Sequence, residues 1–114
     1  MADRNDTRDS LLQGTLDLLV LKALQLGDMH GWGITERLLT GSKNVLQIGQ
    51  GSLYPALYRL ERQGFIRSEW GMSDNNRKAR FYGLTPAGRA LLVRERQAWR
   101  RMARAVENVL AMEA

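Results

Sequence analysis

The sequence predicts a mainly α-helical fold with one β-hairpin, closed by a long C-terminal helix. Three observations predict it. Apolar residues recur at three- and four-residue spacing in separate stretches before Gly64. Two stretches suited to strands, Phe65 to Trp70 and Ala79 to Leu84, flank the turn-forming run GMSDNNRK. Thr85-Pro86 then opens a segment that holds neither Gly nor Pro after Gly88.

Taken in order, residues 1–9 carry no large apolar side chain beyond Met1 and are expected to form a flexible tail. Asp9 or Ser10 caps a first helix to about Leu26. Its Leu12, Leu16, Leu19, Val20, Ala23 and Leu24 keep helical spacing, and Leu18, Leu21 and Leu26 widen the stripe, so more than one side should be covered. Gly27-Asp28 stops it. A short second helix runs from about Gly31 to Leu39, buried through Ile34, Leu38 and Leu39, and Asn44 to Ile48 reads as extended. In the third helix Ser52 is the expected N-cap, with Pro55 in the first turn. Leu53, Ala56, Leu57 and Leu60 form its buried face, and Gly64 ends it. After the hairpin, Thr85 caps and Pro86 begins a helix reaching about Met112, roughly 40 Å at ~1.5 Å per residue. Three helices followed by a hairpin make a winged helix-turn-helix over residues 10–85, and residues 86–114 form a separate long helix.

Composition narrows the function. The 114 residues are 44% hydrophobic and 25% charged, the balance of an ordinary globular chain. With no Cys and one His, thiol chemistry, Cys-based zinc sites and His-rich metal cages are excluded. No His–carboxylate pair, nucleophile–base spacing or phosphate-binding Gly loop is present, so no enzyme and no cofactor is expected. The polar start lacks the apolar core of a signal peptide. The run Leu16 to Leu26 is broken by Asp17, Lys22 and Gln25, so the expected location is cytoplasmic, without a membrane.

The formal charge of +5 is unevenly placed: residues 1–28 carry −2, residues 29–64 carry +2 and residues 65–114 carry +5. Fourteen of the 17 basic residues are Arg, which suits bidentate contact with phosphate and guanine. On the third helix, Pro55, Tyr58, Arg59 and Arg62 are expected opposite the leucines, with Tyr54 and Ser52 on the flanks and Gln50 at the entry. In a helix-turn-helix this helix enters the major groove. Asn75, Asn76, Arg77 and Lys78 sit at the hairpin tip, followed by Arg80, a cationic projection suited to phosphate. The two surfaces belong to one docking geometry, so double-stranded DNA is the expected partner.

The last helix repeats apolar residues every seven positions: Leu92, Trp99 and Val106, and also Met102 and Val109. Trp99, Met102, Val106 and Val109 form an a/d seam, with Glu95 breaking it one turn earlier. Either the chain itself, a second copy, or both must cover this seam. A second copy is favoured because the seam lies far from the compact head. His30, beside Gly31 at a helix start, reads as a capping residue.

The segments LLQGTLDLLVLKALQL (11–26), HGWGI (30–34), GQGSLYPALYRLERQGFI (49–66) and RFYGLTPAG (80–88) resemble the PadR family of bacterial transcription regulators, over about residues 10–110. The single helix after LTPAG is similar to the family's smaller subtype. The resemblance implies a homodimeric winged-helix repressor on a palindromic operator. By position it assigns Ser52, Tyr54, Tyr58 and Arg59 to the recognition helix and Arg77 and Lys78 to the wing. It matches Trp99 to a dimer-helix tryptophan that stacks on flat aromatic drugs in some small members, implying a planar aromatic effector. Trp32 stands where the family usually has Tyr. The competing reading is a winged helix used for protein–protein assembly. The Arg/Tyr face of the third helix weighs against it, since it leaves no apolar docking patch there.

Overall fold

A computed structural model describes residues 2–114, with side chains from residue 14 onward. Residue 1 and the side chain of Leu12 lie outside the described residues, while the backbone of residues 2–9, expected as a flexible tail ahead of a helix start at Asp9 or Ser10, is helical, because α1 begins at Ala2. The elements are α1 (Ala2–Gln25), β1 (Met29–His30), α2 (Gly31–Gly41), α3 (Gln50–Arg62), β2 (Ile66–Met72), β3 (Lys78–Leu84) and α4 (Pro86–Leu110). The mainly helical fold with a hairpin and a long last helix is as the sequence predicts.

One apolar core joins the elements. Leu16, Val20, Leu21, Ala23 and Leu24 of α1 meet Ile34 and Leu38 of α2 and Leu53, Ala56, Leu57 and Leu60 of α3, with Ile66, Tyr82, Leu84 and Leu92. Each fully buried Leu or Ile contributes about 1.5–3 kcal/mol. As the wide stripe on α1 predicts, that helix is covered on several sides: it packs against α2, α3, α4 and β3. Arg37 of α2 closes the end of α1, donating to the carbonyls of Ala23 at 2.8 Å and Gly27 at 2.7 Å.

His30 caps α2 as expected: its Nδ1 accepts from the Gly33 amide at 3.0 Å. The same residue belongs to a strand that the sequence did not predict. The sheet has the order β1-β3-β2, with Met29 opposite Tyr82 and His30 opposite Phe81. Two residues are too few to leave an alternating pattern.

Between α2 and α3, where Asn44 to Ile48 is expected to be extended, no strand forms. Lys43 and Asn44 both have positive φ, which turns the chain, and the Ser42 hydroxyl accepts from the Leu46 amide at 2.8 Å. The helix after it starts earlier than predicted. Gly49, not Ser52, is the N-cap of α3, without a side-chain bond. Pro55 therefore lies beyond the first turn, where it cannot donate to the Gly51 carbonyl. At the other end, Gly64 takes φ +82 and the Phe65 amide reaches back to the Leu60 carbonyl at 3.0 Å, closing the helix.

The hairpin strands run further than predicted, to Met72 and from Lys78, leaving Ser73 to Arg77 as the turn. Ser73 organises it: its amide donates to the Arg77 carbonyl at 2.8 Å and its Oγ contacts Asn75, while Asn76 takes φ 61. Thr85 then caps α4, its Oγ1 accepting from the Gly88 amide at 3.1 Å and donating to the Gly64 carbonyl at 2.7 Å. Gly88 is required by close packing, since a Cβ there would lie 2.0 Å from the Phe65 carbonyl oxygen.

Candidate nucleic-acid interface

The surface of α3 away from the core presents Gln50, Ser52, Tyr54, Tyr58 and Arg62, all exposed. Helical spacing produces this face: Leu53, Ala56, Leu57 and Leu60 are buried on the other. The Arg62 guanidinium lies 5.5 Å from the centre of the Tyr58 ring, so the two form one cation–aromatic unit. Tyr54 leans toward α2, where a Cβ on Gly31 would meet its hydroxyl at 2.5 Å. The missing side chain at Gly31 is what lets α3 approach the start of α2.

Arg59 is placed differently from the expectation. Its Nη2 donates to Asp17 Oδ1 on α1 at 2.6 Å, and both side chains are about two-thirds buried or more. Its position explains this: it lies roughly 60° round the helix from buried Ala56, on the flank beside α1, and not opposite the leucines. Arg59 fastens α3 to the body.

Arg80 is also engaged. Its Nε donates to Ser68 Oγ at 2.8 Å and its Nη2 lies 3.7 Å from Glu61 on α3. Ser68 Oγ donates in turn to the same Glu61 carboxylate. This chain ties the hairpin to the end of α3. The tip residues Asn76 and Arg77 are exposed, and Lys78 is exposed at the start of β3. Sequence reading missed Trp70 and Trp32, both exposed beside these groups. The signal for Trp70 lay in the hairpin register, which sets it opposite Arg80.

Among the described residues, two titratable groups depart from their ordinary range. Burial pushes the Asp17 carboxyl up. Arg59 opposes that shift without cancelling it, and Glu95 of α4 adds to it. Burial also raises the Tyr82 hydroxyl, with smaller contributions in the same direction from Tyr54 and Glu61.

Leu92, expected on the α4 seam, is instead 4% exposed and part of the chain's own core. The heptad arithmetic is right, but the first turns of α4 lie under the body, against α1 and β3. Further along, Trp99 (48%), Met102, Val106 (47%) and Val109 are exposed, so the described residues leave about half or more of each side chain uncovered. Among the described residues, no group of His, Cys, Asp or Glu could hold a metal ion, and no helix is long and apolar enough to cross a membrane.

The transcriptional regulator PadR-like family model matches residues 20–94, from the last two turns of α1 to the first turns of α4. The chain belongs to the PadR-like family. The transcriptional regulator Rv3488 of Mycobacterium tuberculosis is 40% identical over 79 residues, covering 69% of this chain and 70% of that one. A PadR family transcriptional regulator from Eggerthella lenta has a structure similar to this chain over 99% of it and 100% of that chain, with a TM-score of 0.75 and 26% identity. A transcriptional regulator from Clostridium thermocellum superposes with a TM-score of 0.77 at 25% identity, over 90% of this chain and 96% of that one. PadR-like proteins are DNA-binding transcriptional regulators and not enzymes, and this chain is a regulator of that family.

Proposed function

We propose that the chain acts as a homodimer, as a repressor on a palindromic operator in the cytoplasm. The observation that carries this reading is the uncovered apolar seam of α4. Trp99, Met102, Val106 and Val109 follow one another at a/d spacing on a helix whose own core ends near Leu92. A second copy of the same seam covers it by two-fold symmetry. The division into a DNA-binding unit over residues 10–85 and a dimerisation helix over residues 86–114 follows from the same contrast.

In such a dimer each α3 enters a major groove, with the two half-sites about 10 base pairs apart. Gln50, Ser52, Tyr54, Tyr58 and Arg62 meet bases and phosphates there, while Asn76, Arg77 and Lys78 contact the backbone from the wing. Arg59 and Arg80, held by Asp17 and Glu61, fix the angle of α3 and of the wing. The paired Trp99 rings offer a flat aromatic seat for a planar effector, whose binding shifts the spacing of the two heads.

Selection of bound duplexes from a random-sequence library, with the mass in solution measured by sedimentation equilibrium, tests the reading. A dimer and an enriched inverted repeat are expected. A monomer that enriches a single, unrepeated half-site overturns it.

A further inference from the structure

Side chains alternate along a strand, so Trp70, Lys78 and Arg80 share the hairpin face of Ile66, Tyr82 and Leu84. At the base of the hairpin that face is core. Further out it overhangs the body and opens on a cleft of about 630 Å³. The wing supplies Trp70, Lys78 and Arg77 to this cleft, and the helices supply Trp32 and Tyr54. Both indoles stand in solvent, Trp32 at 64% and Trp70 at 60% exposure.

Trp70 carries two cations on its ring, the Lys78 ammonium 5.2 Å and the Arg80 guanidinium 5.5 Å from the centroid. Arg80 is fixed there by Ser68 and Glu61. Lys78 makes no ion pair among the described residues, so its charge is held in place by the indole and remains free to meet an anion. An exposed pair of indoles beside fixed positive charge suits a partner that alternates apolar rings with anions. The sugar–phosphate backbone alternates in that way, a deoxyribose between successive phosphates.

The position of the cleft selects which strand. Its lining runs from Tyr54 on α3 to Asn75 and Arg77 at the wing tip. With α3 in one groove and the tip reaching the next, the strand that separates the two grooves crosses the cleft. We propose that the cleft clamps this strand, with Lys78 on a phosphate and the Trp70 and Trp32 rings against the flanking sugars. Trp70 is then both a contact and the platform that aims Lys78. The proposal rests on the DNA-reading role of α3 and adds two residues that role does not require.

The test uses the whole chain and a mixed-sequence duplex of about 24 base pairs. Duplex binding should quench tryptophan emission in the parent and in Trp99→Phe, and should leave the double variant Trp32→Phe/Trp70→Phe nearly unquenched. Trp70→Ala should weaken duplex binding about tenfold, Trp70→Phe should keep most of it, and Lys78→Ala should lower the slope of log K against log salt by about one per protomer. Because Trp70 and Lys78 are exposed, unfolding curves of these variants should match the parent, which separates lost contact from lost fold. Duplex bound without quenching, or with unchanged affinity in Trp70→Ala and Lys78→Ala, overturns the clamp and leaves the DNA-reading role of α3 intact. Saturable quenching of Trp99→Phe by naphthoate with none by duplex makes the cleft a small-molecule pocket and equally overturns the clamp. A parent that retains no duplex at all overturns both.

Discussion

Arg59 of α3 and Asp17 of α1 form a 2.6 Å ion pair across the side of the reading head. Each side chain is mostly covered, and the pair joins the helix proposed to face DNA to the helix at the centre of the core. Removing one partner leaves the other charge in a poorly solvated place. Arg59→Ala should therefore lower the unfolding free energy by about 1 kcal/mol, as read by urea denaturation. An unchanged midpoint with an unchanged slope would show that the pair contributes nothing.

The same pair makes a pH prediction. The folded Asp17 carboxyl titrates above its ordinary 3.8, because burial outweighs the opposing Arg59 and Glu95 reinforces it. A group whose folded value is raised contributes stability in full below its unfolded value and loses it as pH rises through the folded value. The stability difference between the parent and Asp17→Asn should thus move against the parent as pH rises from about 4 toward neutrality. Denaturation midpoints of the two proteins at several pH values check this. Parallel midpoints across the range would contradict it.

The exposed seam predicts assembly. Val106→Glu places a charge in the proposed dimer contact, where burial without a partner is costly. Light scattering should then report a monomer at concentrations where the parent is a dimer. A dimeric variant would locate the contact elsewhere.

On the reading face, Arg62 is exposed and stacked on Tyr58, without an ion pair among the described residues. Arg62→Ala should reduce affinity for the selected duplex by about 1–3 kcal/mol while leaving stability unchanged. Arg77→Ala, at the wing tip, should weaken selected and unrelated duplexes alike and lower the salt slope by about one per protomer. Mobility-shift titrations at several salt concentrations distinguish the two patterns. A sequence-selective loss in Arg77→Ala would place the wing on bases.

Gly88 gives a prediction about packing alone. The atom a Cβ would meet is the Phe65 carbonyl oxygen, which belongs to the backbone and has no rotamer by which to move away. Gly88→Ala should lower the melting temperature by several degrees, equivalent to about 1–3 kcal/mol. A variant melting with the parent would mean that α4 shifts freely at its first turn.

Most of the fold that follows from local chemistry was legible in the sequence, the start of α3 at Gly49 in place of Ser52 being one exception. His30 and Thr85 cap as their types suggest, the α3 leucines face inward, and the turn residues close the hairpin. What was not legible depends on neighbours distant in sequence. A helical wheel places Arg59 on a flank but does not say that Asp17, 42 positions earlier, lies beside it. Heptad spacing links Leu92 to Trp99 but does not say where the body ends. The cleft beside Trp70 needed the strand register, and with it the knowledge that α2 and α3 lie beneath the overhang.

The Thr85 hydroxyl joins the carbonyl after α3 to the first turn of α4. One side chain therefore serves as the weld between head and arm, and Gly88 removes the slack behind it. With no flexible joint at that weld, the arm is a lever whose phase is set by counting residues. Inserting one alanine in α4 between Leu92 and Trp99 would leave the head intact but turn the seam by roughly 100° about the helix axis. In the proposed dimer the two heads would then lose their common side of the duplex, although every residue proposed to touch DNA would still be present.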